Sequence, residues 1–384
     1  MAIRKEALAC SEFAKLKAIY DDKKSVLKSL NESGKRVVCT AGCDVPEEVI
    51  IAGGMVPFPI TGYYGGERPS AEKYLEYSFG CIWKGIWETI LEDYKGMIKY
   101  LSFSSSQDMY LKIFYYLRTL KRLEPDRPLP ELTYSDFELI NHSMKAQLRN
   151  ENELKIYIKQ VEEWAGKKIT EEELKDAIKL CNEYRVALYE FVELRKKENC
   201  RVLGSEALVV IGASMFMDKK EAIAAVKAVT EAAKSWPVVN LKRIYYAGSR
   251  QEITEVYDIA EANGCNIVAE DHDFGNRAFD TLVHEDYNAV SGLAARLFER
   301  MPSSEKGSIK NRVKYLGIKV EEAQPDVFLT YMNNNDEAFV WDLPSVKKEV
   351  LDPKNIPAVN IEKQNWPLVD KDGVAAKFAE MSKM

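Results

Sequence analysis

Short apolar runs alternate with amphipathic stretches in two parts of this 384-residue chain, and this alternation restricts the fold more than any other feature. Strands in the first part are predicted at residues 36–40, 55–61 and 100–104. Strands in the second part are predicted at residues 243–247, 266–269, 327–331 and 358–361. Most are followed by a loop and a helix, and strands connected in this way pair in parallel. The sequence therefore predicts an α/β protein in which a doubly wound parallel-sheet architecture occurs twice.

A purely helical segment separates the two parts. Residues 143–198 carry many charges, and their apolar side chains recur at intervals of three or four, as in Leu154, Ile158, Val161 and Trp164. This period is typical of amphipathic helices. The chain is thus predicted to comprise an N-terminal helix (1–34), α/β domain I (35–142), a helical connector (143–201) and α/β domain II (202–384).

Composition excludes several classes of function. Apolar residues make up 46% of the chain, yet no run approaches the roughly 18 residues of a membrane span. The net charge is −6 with Lys and Arg interspersed, which argues against a nucleic-acid groove. Charged residues begin at Arg4, and the seven cysteines lack the spacing of a disulfide framework. We therefore expect a cytoplasmic protein with reduced thiols.

The loops that follow the predicted strands are the expected site, because ligands of open α/β sheets bind beyond the carboxyl ends of the strands. These loops are residues 39–46, 104–108, 248–251, 270–277 and 332–336. The sequence has neither a phosphate-binding Gly-x-x-x-x-Gly-Lys-Ser/Thr loop nor a Gly-x-Gly-x-x-Gly after a strand. It also lacks a Gly-x-Ser-x-Gly elbow. The usual cradles for ATP and dinucleotides are therefore absent from the sequence.

The loop from Asp271 to Arg277 combines carboxylates, an imidazole and a guanidinium. A histidine between acids is expected to stay protonated to higher pH, which suits His272 to proton donation near neutral pH. Asn276 and Arg277 are candidate substrate-binding residues of the same loop. The alternative is an ordinary acidic loop in which Arg277 pairs with a neighbouring carboxylate.

Cys81 is the candidate metal ligand, since it lies between two strand–loop–helix units and other strand-end loops are expected to converge on it. Cys43, in the first such loop, is a second candidate. The loops at 104–108 and 332–336 offer Ser, Gln and Asn where an iron–sulfur site would need more thiolates. Cys81 is alternatively a small buried apolar residue, which is the commonest fate of a free cysteine.

A family resemblance rests on Pro46-Glu-Glu-Val-Ile-Ile-Ala-Gly-Gly-Met-Val-Pro57. This segment resembles Pro-Glu-Glu-Ile-Ile-x-Ala-Ala-Gly-Met-x-Pro of the 2-hydroxyacyl-CoA dehydratase family. That family also includes the B and C subunits of ATP-dependent benzoyl-CoA reductase and the double-cubane cluster proteins. The likeness continues over nearly the whole chain, through Cys81 and residues 104–108, 215–221, 325–328 and 356–357.

The resemblance implies two Rossmann-like domains with a cleft between them and a homologous partner subunit. It also implies that three cysteines hold a cluster in each cluster-bearing subunit. The first of these positions maps to Cys81, the second at or beside Gln107 and the third at or beside Asn335. Cys43 matches a loop position that can contribute a further ligand. This chain departs from the pattern at two of the three ligands.

This departure favours the cluster-poor subunit of a benzoyl-CoA reductase-type oxidoreductase that reduces an aromatic acyl-CoA. A cluster-bearing homologous subunit would hold most of the iron–sulfur cluster, and a separate ATP-hydrolysing activator would deliver electrons. Here His272 would supply a proton, and Ser104, Gln107, Asn276, Arg277 and Asn335 would contact the acyl-CoA substrate. Two alternatives are a 2-hydroxyacyl-CoA dehydratase subunit, which would make the enzyme a lyase, and a non-catalytic scaffold subunit.

Overall fold

Two four-stranded parallel sheets organise the computed structural model, which describes residues 3–139, 143–300, 303, 306–336 and 338–384. The first sheet has the order β2-β1-β3-β4 and the second the order β6-β5-β7-β8. The strands are β1 Val37–Ala41, β2 Val56–Pro59, β3 Tyr100–Ser104, β4 Glu131–Ser135, β5 Lys242–Gly248, β6 Cys265–Asp271, β7 Val327–Asn333 and β8 Ala358–Gln364. The predicted α/β class with parallel sheets is confirmed.

Helices connect the strands and cover the sheets. Among the described residues they are α1 Lys5–Leu8, α2 Ser11–Asp21, α3 Lys23–Glu32, α4 Glu47–Ala52, α5 Pro69–Tyr74, α6 Cys81–Glu88, α7 Asp108–Leu123, α8 Met144–Ala165, α9 Glu171–Val192, α10 Gly204–Ser214, α11 Lys219–Ala233, α12 Glu255–Ala262, α13 Ala289–Glu299, α14 Ile309–Ala323, α15 Ala338–Val346 and α16 Lys371–Met381. None of them combines the length and the apolar character that a membrane span needs.

The central strands are apolar because both of their faces are covered. All five residues of β1 and all five of β3 are buried. In contrast, the edge strand β4 has only its last residue, Ser135, fully buried. Its mixed sequence lacks the apolar run that marks a doubly covered strand, and the sequence pattern predicts no strand there.

The connector consists of two helices of 22 residues each, α8 and α9, as the three-to-four-residue apolar period predicts. Gly166 ends α8 in the left-handed conformation at φ 69°. Thr170 and Glu173 form a capping box that begins α9. Helix α9 packs on α4 of the first part and on α11 of the second, so the connector holds the two sheets together.

The N-terminal segment forms three helices rather than one. The first break lies between Leu8 and Ser11, and the second lies at Asp22, whose side chain accepts a hydrogen bond from the backbone N–H of Ser25 and caps α3. Aspartate favours such caps over helix interiors because its carboxylate competes for backbone N–H groups. Among the described residues, the buried apolar side chains form three clusters, and the largest runs from Leu101 in β3 through Leu208 in α10 to Leu329 in β7.

Candidate functional site

The loops that leave the two sheets meet where the strand order reverses. In the first sheet the order reverses between β1 and β3, and in the second between β5 and β7. At such points the loops diverge and leave a crevice at the carboxyl edge of the sheet. Arg250, in the loop after β5, reaches the first sheet's half, where its Nη1 donates a hydrogen bond of 2.7 Å to the hydroxyl of Tyr110 in α7. The two edges therefore face one shared region.

Arg250 lies at the centre of this region. It is 7% exposed, forms an ion pair with Glu252, and its guanidinium carbon lies 5.4 Å from the centre of the Phe274 ring. Its side chain borders three neighbouring cavities, which we call the Cys81, His272 and Cys43 cavities. Sequence reasoning does not identify Arg250 as a site residue. The available signal was its position in the loop that follows an apolar strand.

The Cys81 cavity has a volume of about 20 Å³, which is room for about one water molecule. Besides Cys81 and Arg250, Gln107, Asn333, Asn334 and Asp336 line it. Neither amide atom of Asn333 nor Oε1 of Gln107 has a hydrogen-bond partner among the described residues. Since buried polar groups are normally paired, these atoms are suited to hold a bound water or another small polar ligand.

The His272 cavity, of about 30 Å³, adjoins the Cys81 cavity and shares Gln107, Arg250 and Asp336 with it. His272 and Arg277 line it as well. Nε2 of His272 lies 3.0 Å from the hydroxyl of Tyr257, and Nδ1 has no hydrogen-bond partner in the described part of the chain. Arg277 lies 3.6 Å from a carboxylate oxygen of Asp273, as the alternative interpretation of this loop predicts.

His272 is neutral rather than protonated. Burial lowers its pKa to about 4, and this effect outweighs the opposing attraction of Glu270, Asp273 and Asp271. Water is excluded from the ring, so the cationic form loses hydration that the carboxylates do not fully replace. The expectation that the neighbouring acids hold His272 protonated is therefore wrong.

Three of the predicted substrate-binding residues lie elsewhere. Ser104 is fully buried against Gly42, where any side chain larger than hydrogen would collide with the Ser104 hydroxyl. Asn276 lines a separate cavity with Tyr189 and Lys319. Asn335 is exposed, and its side-chain amide donates a 3.4 Å hydrogen bond to the carbonyl of Tyr77. From that loop it is Asn333, Asn334 and Asp336 that face the Cys81 cavity.

The cysteines do not form a cluster site in this chain. Cys81 begins α6 beside the small Cys81 cavity, whereas Cys43 lines the Cys43 cavity, which has a volume of about 80 Å³. Within the described ranges, no group of three or more His, Cys, Asp or Glu side chains could hold a metal ion. A cubane also needs far more space than one water molecule. The residues of this chain therefore do not fit a three-thiolate iron–sulfur cluster.

Both thiols also favour the protonated form. Burial raises the pKa of Cys43 well above its ordinary value, with Asp273 and Asp44 adding to the effect. Burial likewise raises the pKa of Cys81, although Arg68 and backbone N–H groups oppose it. Metal ligation requires the thiolate, so without a metal neither cysteine is prepared as a ligand.

The chain is similar in sequence to one protein family and to two characterised relatives. The family described as 2-hydroxyglutaryl-CoA dehydratase, D-component, matches residues 42–379. The (R)-phenyllactyl-CoA dehydratase beta subunit of Clostridium sporogenes is 26% identical, over 90% of this chain and 90% of its own length. The (R)-2-hydroxyglutaryl-CoA dehydratase subunit beta of Acidaminococcus fermentans is 23% identical, over 91% of this chain and 92% of its own length.

These relatives overturn the preferred expectation from the sequence. The sequence favours benzoyl-CoA reductase because two expected cluster ligands are Gln and Asn in this chain. The similar proteins are instead named as dehydratase subunits, so the reductase activity and the oxidoreductase class are both wrong. Loss of cluster cysteines from one chain does not identify the reaction, because the chemistry depends on the whole assembly.

Proposed function

Because this chain belongs to the 2-hydroxyglutaryl-CoA dehydratase D-component family, we propose that it is a subunit of an enzyme that eliminates water from an (R)-2-hydroxyacyl-CoA. The observation that carries this assignment is the extent of the match, since the family covers residues 42–379. Two dehydratase beta subunits also align over 90% or more of both lengths. The proposed enzyme is therefore a lyase.

The proposed reaction is redox-neutral overall. The bond from C2 to the hydroxyl oxygen breaks, C3 loses a proton, and a double bond forms between C2 and C3. The hydroxyl and the proton leave together as water. Each product atom comes from the substrate, so the balance requires no net oxidant or reductant.

The assembly we propose is heteromeric. A homologous partner subunit would hold the iron–sulfur cluster, because the candidate ligands Cys43 and Cys81 line different cavities and two expected ligand positions are Gln107 and Asn335. A separate ATP-hydrolysing activator would serve the complex, in keeping with the lack of a phosphate-binding loop in this sequence. This chain would contribute protein surface around the acyl-CoA rather than metal ligands.

The finer description of the fold belongs to the same proposal. We infer that each sheet is a Rossmann-like, doubly wound unit. The strand orders support this inference, because both place the first strand of the unit between the second and the third.

The role proposed for His272 follows from its charge. A buried neutral imidazole with a pKa of about 4 takes up a proton only reluctantly, but its free Nδ1 is suited to form a hydrogen bond with a water in the His272 cavity. Gln107 and Arg277 line the same cavity and would orient that water. Ser104, Asn276 and Asn335 do not line it, so their predicted role as substrate contacts has no support from its geometry.

Anaerobic purification of the chain with its natural partners tests the proposed function. The purified assembly would be incubated with ATP, a reductant and (R)-2-hydroxyacyl-CoA thioesters that bear aromatic, aliphatic or carboxylate side chains. Formation of the 2-enoyl-CoA from at least one thioester is the expected result. An assembly that retains its cluster and activator but eliminates water from none of them would contradict the assignment.

A further inference from the structure

The Cys43 cavity is the largest of the three that surround Arg250, at about 80 Å³. It is enclosed by β1, β2, the connector helix α9 and the loops of the second sheet. Apolar and charged side chains both line it. The apolar lining residues include Pro59, Ile60, Met215 and Phe274, and we call them the apolar wall. A group of charged lining residues, which we call the charged side, includes Glu48, Arg185, Lys219 and Arg296.

Arg296 is a buried cation of this cavity whose terminal guanidinium nitrogens make no hydrogen bond to the described residues. It is 7% exposed, and its only hydrogen bond within the described residues runs 2.8 Å from Nε to the carbonyl oxygen of Thr281. Its nearest described carboxylate oxygen, in Asp280, is 3.7 Å from Nη2. That carboxylate also accepts a hydrogen bond of 3.1 Å from Nε of Arg300. The Nη atoms of Arg296 therefore have donor capacity to spare.

The charges around Arg296 leave its guanidinium under-compensated. Burial and the neighbouring cations Arg185 and Arg300 lower its pKa to about 10, against the weaker attraction of Glu48 and Asp280. Lys219 differs, because it contacts Glu47 at 2.8 Å and lies 4.2 Å from the centre of the Tyr184 ring. An incoming anion would thus gain most by binding at Arg296.

Two further polar atoms on the charged side are buried without a partner. Oε2 of Glu48 and Nε of Arg185 have no hydrogen-bond partner among the described residues, and both side chains are at most 2% exposed. The cavity thus combines spare donors and acceptors with an apolar wall, which is the composition of a small-molecule site.

We propose that the Cys43 cavity binds a small organic carboxylate, with the carboxylate on the Nη atoms of Arg296 and the carbon chain against Ile60 and Met215. Arginine binds carboxylates through two parallel N–H groups. A buried cation whose charge is not compensated costs free energy, which a bound carboxylate would offset. The apolar wall favours an acid with a carbon chain over an inorganic ion. The volume suits a body of about five non-hydrogen atoms, since a water molecule needs about 10–15 Å³. This site stands independently of the proposed dehydratase activity.

Isothermal titration calorimetry of the full chain with butyrate, butyramide and inorganic phosphate tests the site. We expect butyrate to bind at one site per chain, and butyramide and phosphate to bind about tenfold more weakly or not at all, since a charge-assisted pair at 1.4 kcal/mol corresponds to a factor of ten. Butyramide binding as tightly as butyrate would overturn the assignment to a carboxylate. Phosphate binding as tightly as butyrate would overturn the role of the apolar wall.

Two variants locate the site. Arg296→Gln should weaken butyrate binding about tenfold, whereas Arg149→Gln, at an exposed position of α8, should leave it unchanged. Arg296→Gln should still fold, because it removes repulsion with Arg185 and Arg300 and leaves Asp280 hydrogen-bonded to Arg300. Ala278→Leu would fill part of the cavity without changing a charge, and it should abolish binding. Unchanged butyrate affinity in either cavity variant, confirmed as folded by its thermal transition, would place the ligand elsewhere.

Discussion

The Nη1 atom of Arg250 lies 2.7 Å from the hydroxyl oxygen of Tyr110, so a loop of the second sheet is bonded to a helix of the first. Both side chains are at most 7% exposed. Arg250 also pairs with Glu252, which accepts hydrogen bonds from the backbone N–H of Gly62 and the hydroxyl of Tyr64 in the first half. This network fixes how the two strand-end edges face each other.

Tyr110→Phe should lower the free energy of unfolding by about 1–3 kcal/mol, because it leaves a buried charged donor without its acceptor. Chemical denaturation monitored by circular dichroism would measure the loss. Tyr115→Phe is the matched control, since Tyr115 is 52% exposed on the same helix and should change stability by less than about 0.5 kcal/mol. Equal stability of the two variants would mean that the Arg250 contact does not hold the halves together.

The neutral state of His272 predicts a loss of stability on acidification. Its pKa is about 4 in the folded protein, against an ordinary value of 6.5. Between these pH values His272 is protonated in the unfolded chain but not in the folded chain. The free energy of unfolding therefore falls as the pH decreases from 6.5 towards 4. This loss of stability should be absent above pH 7 and should reach about 2 kcal/mol at pH 5.

Denaturation of the wild type and of His272→Gln at pH 7.5 and pH 5 isolates this effect from other titrating groups. The stability difference between the two proteins should shift by about 2 kcal/mol in favour of the variant at pH 5. His284→Gln is a control at a half-exposed histidine, which lies 2.8 Å from Glu299. A difference that stays constant with pH would show that His272 is not buried as a neutral ring.

The ion pair between Glu48 and Arg185 should contribute strongly to folding. The atoms Oε1 and Nη2 lie 2.5 Å apart, and both residues are at most 2% exposed. Glu48→Gln leaves Arg185 with only the more distant Glu47 carboxylate, so we expect a loss of about 3–5 kcal/mol in the free energy of unfolding. Glu183→Gln, at an exposed position of α9, should have little effect. Similar stabilities of the two variants would contradict the prediction.

Sequence patterns correctly predict the strands and helices whose apolar spacing is set by burial. The strands around Leu101 and Leu329 are apolar because both faces are covered, and the connector has the apolar spacing of two long helices. Strand β4 was missed because its half-exposed edge carries no apolar run. The break in the N-terminal segment at Asp22 depends on one side-chain cap. The amphipathic pattern continues across this position and therefore does not reveal the break.

The site could be predicted only in outline. Strand-end loops were correctly identified as neighbours, and Cys81 and Gln107 do line one cavity. The orientation within a loop was not predictable, because β7 extends to Asn333 and thereby turns Asn333 inward while Asn335 is exposed. The charge state of His272 was missed because it depends on desolvation, which sequence neighbours do not reveal.

Because Cys43 and Cys81 line different cavities, we predict a low metal content for this chain alone. After anaerobic treatment with iron and sulfide, the isolated chain should bind much less than one four-iron cluster. Cys81→Ser should leave the iron content of the purified complex unchanged. Iron and sulfide analysis with electron paramagnetic resonance would measure both quantities. A stable four-iron cluster on the isolated wild-type chain, lost in Cys81→Ser, would contradict the separation seen in the structure.

The most direct test of the dehydratase assignment is titration of this chain into its cluster-bearing partner and activator, with the rate of 2-enoyl-CoA formation from the preferred (R)-2-hydroxyacyl-CoA as the readout. We predict that the partner alone is inactive and that activity rises in proportion to added chain until the two are equimolar. Full activity of the partner without this chain, or no elimination at any ratio in an assembled complex, would contradict the account.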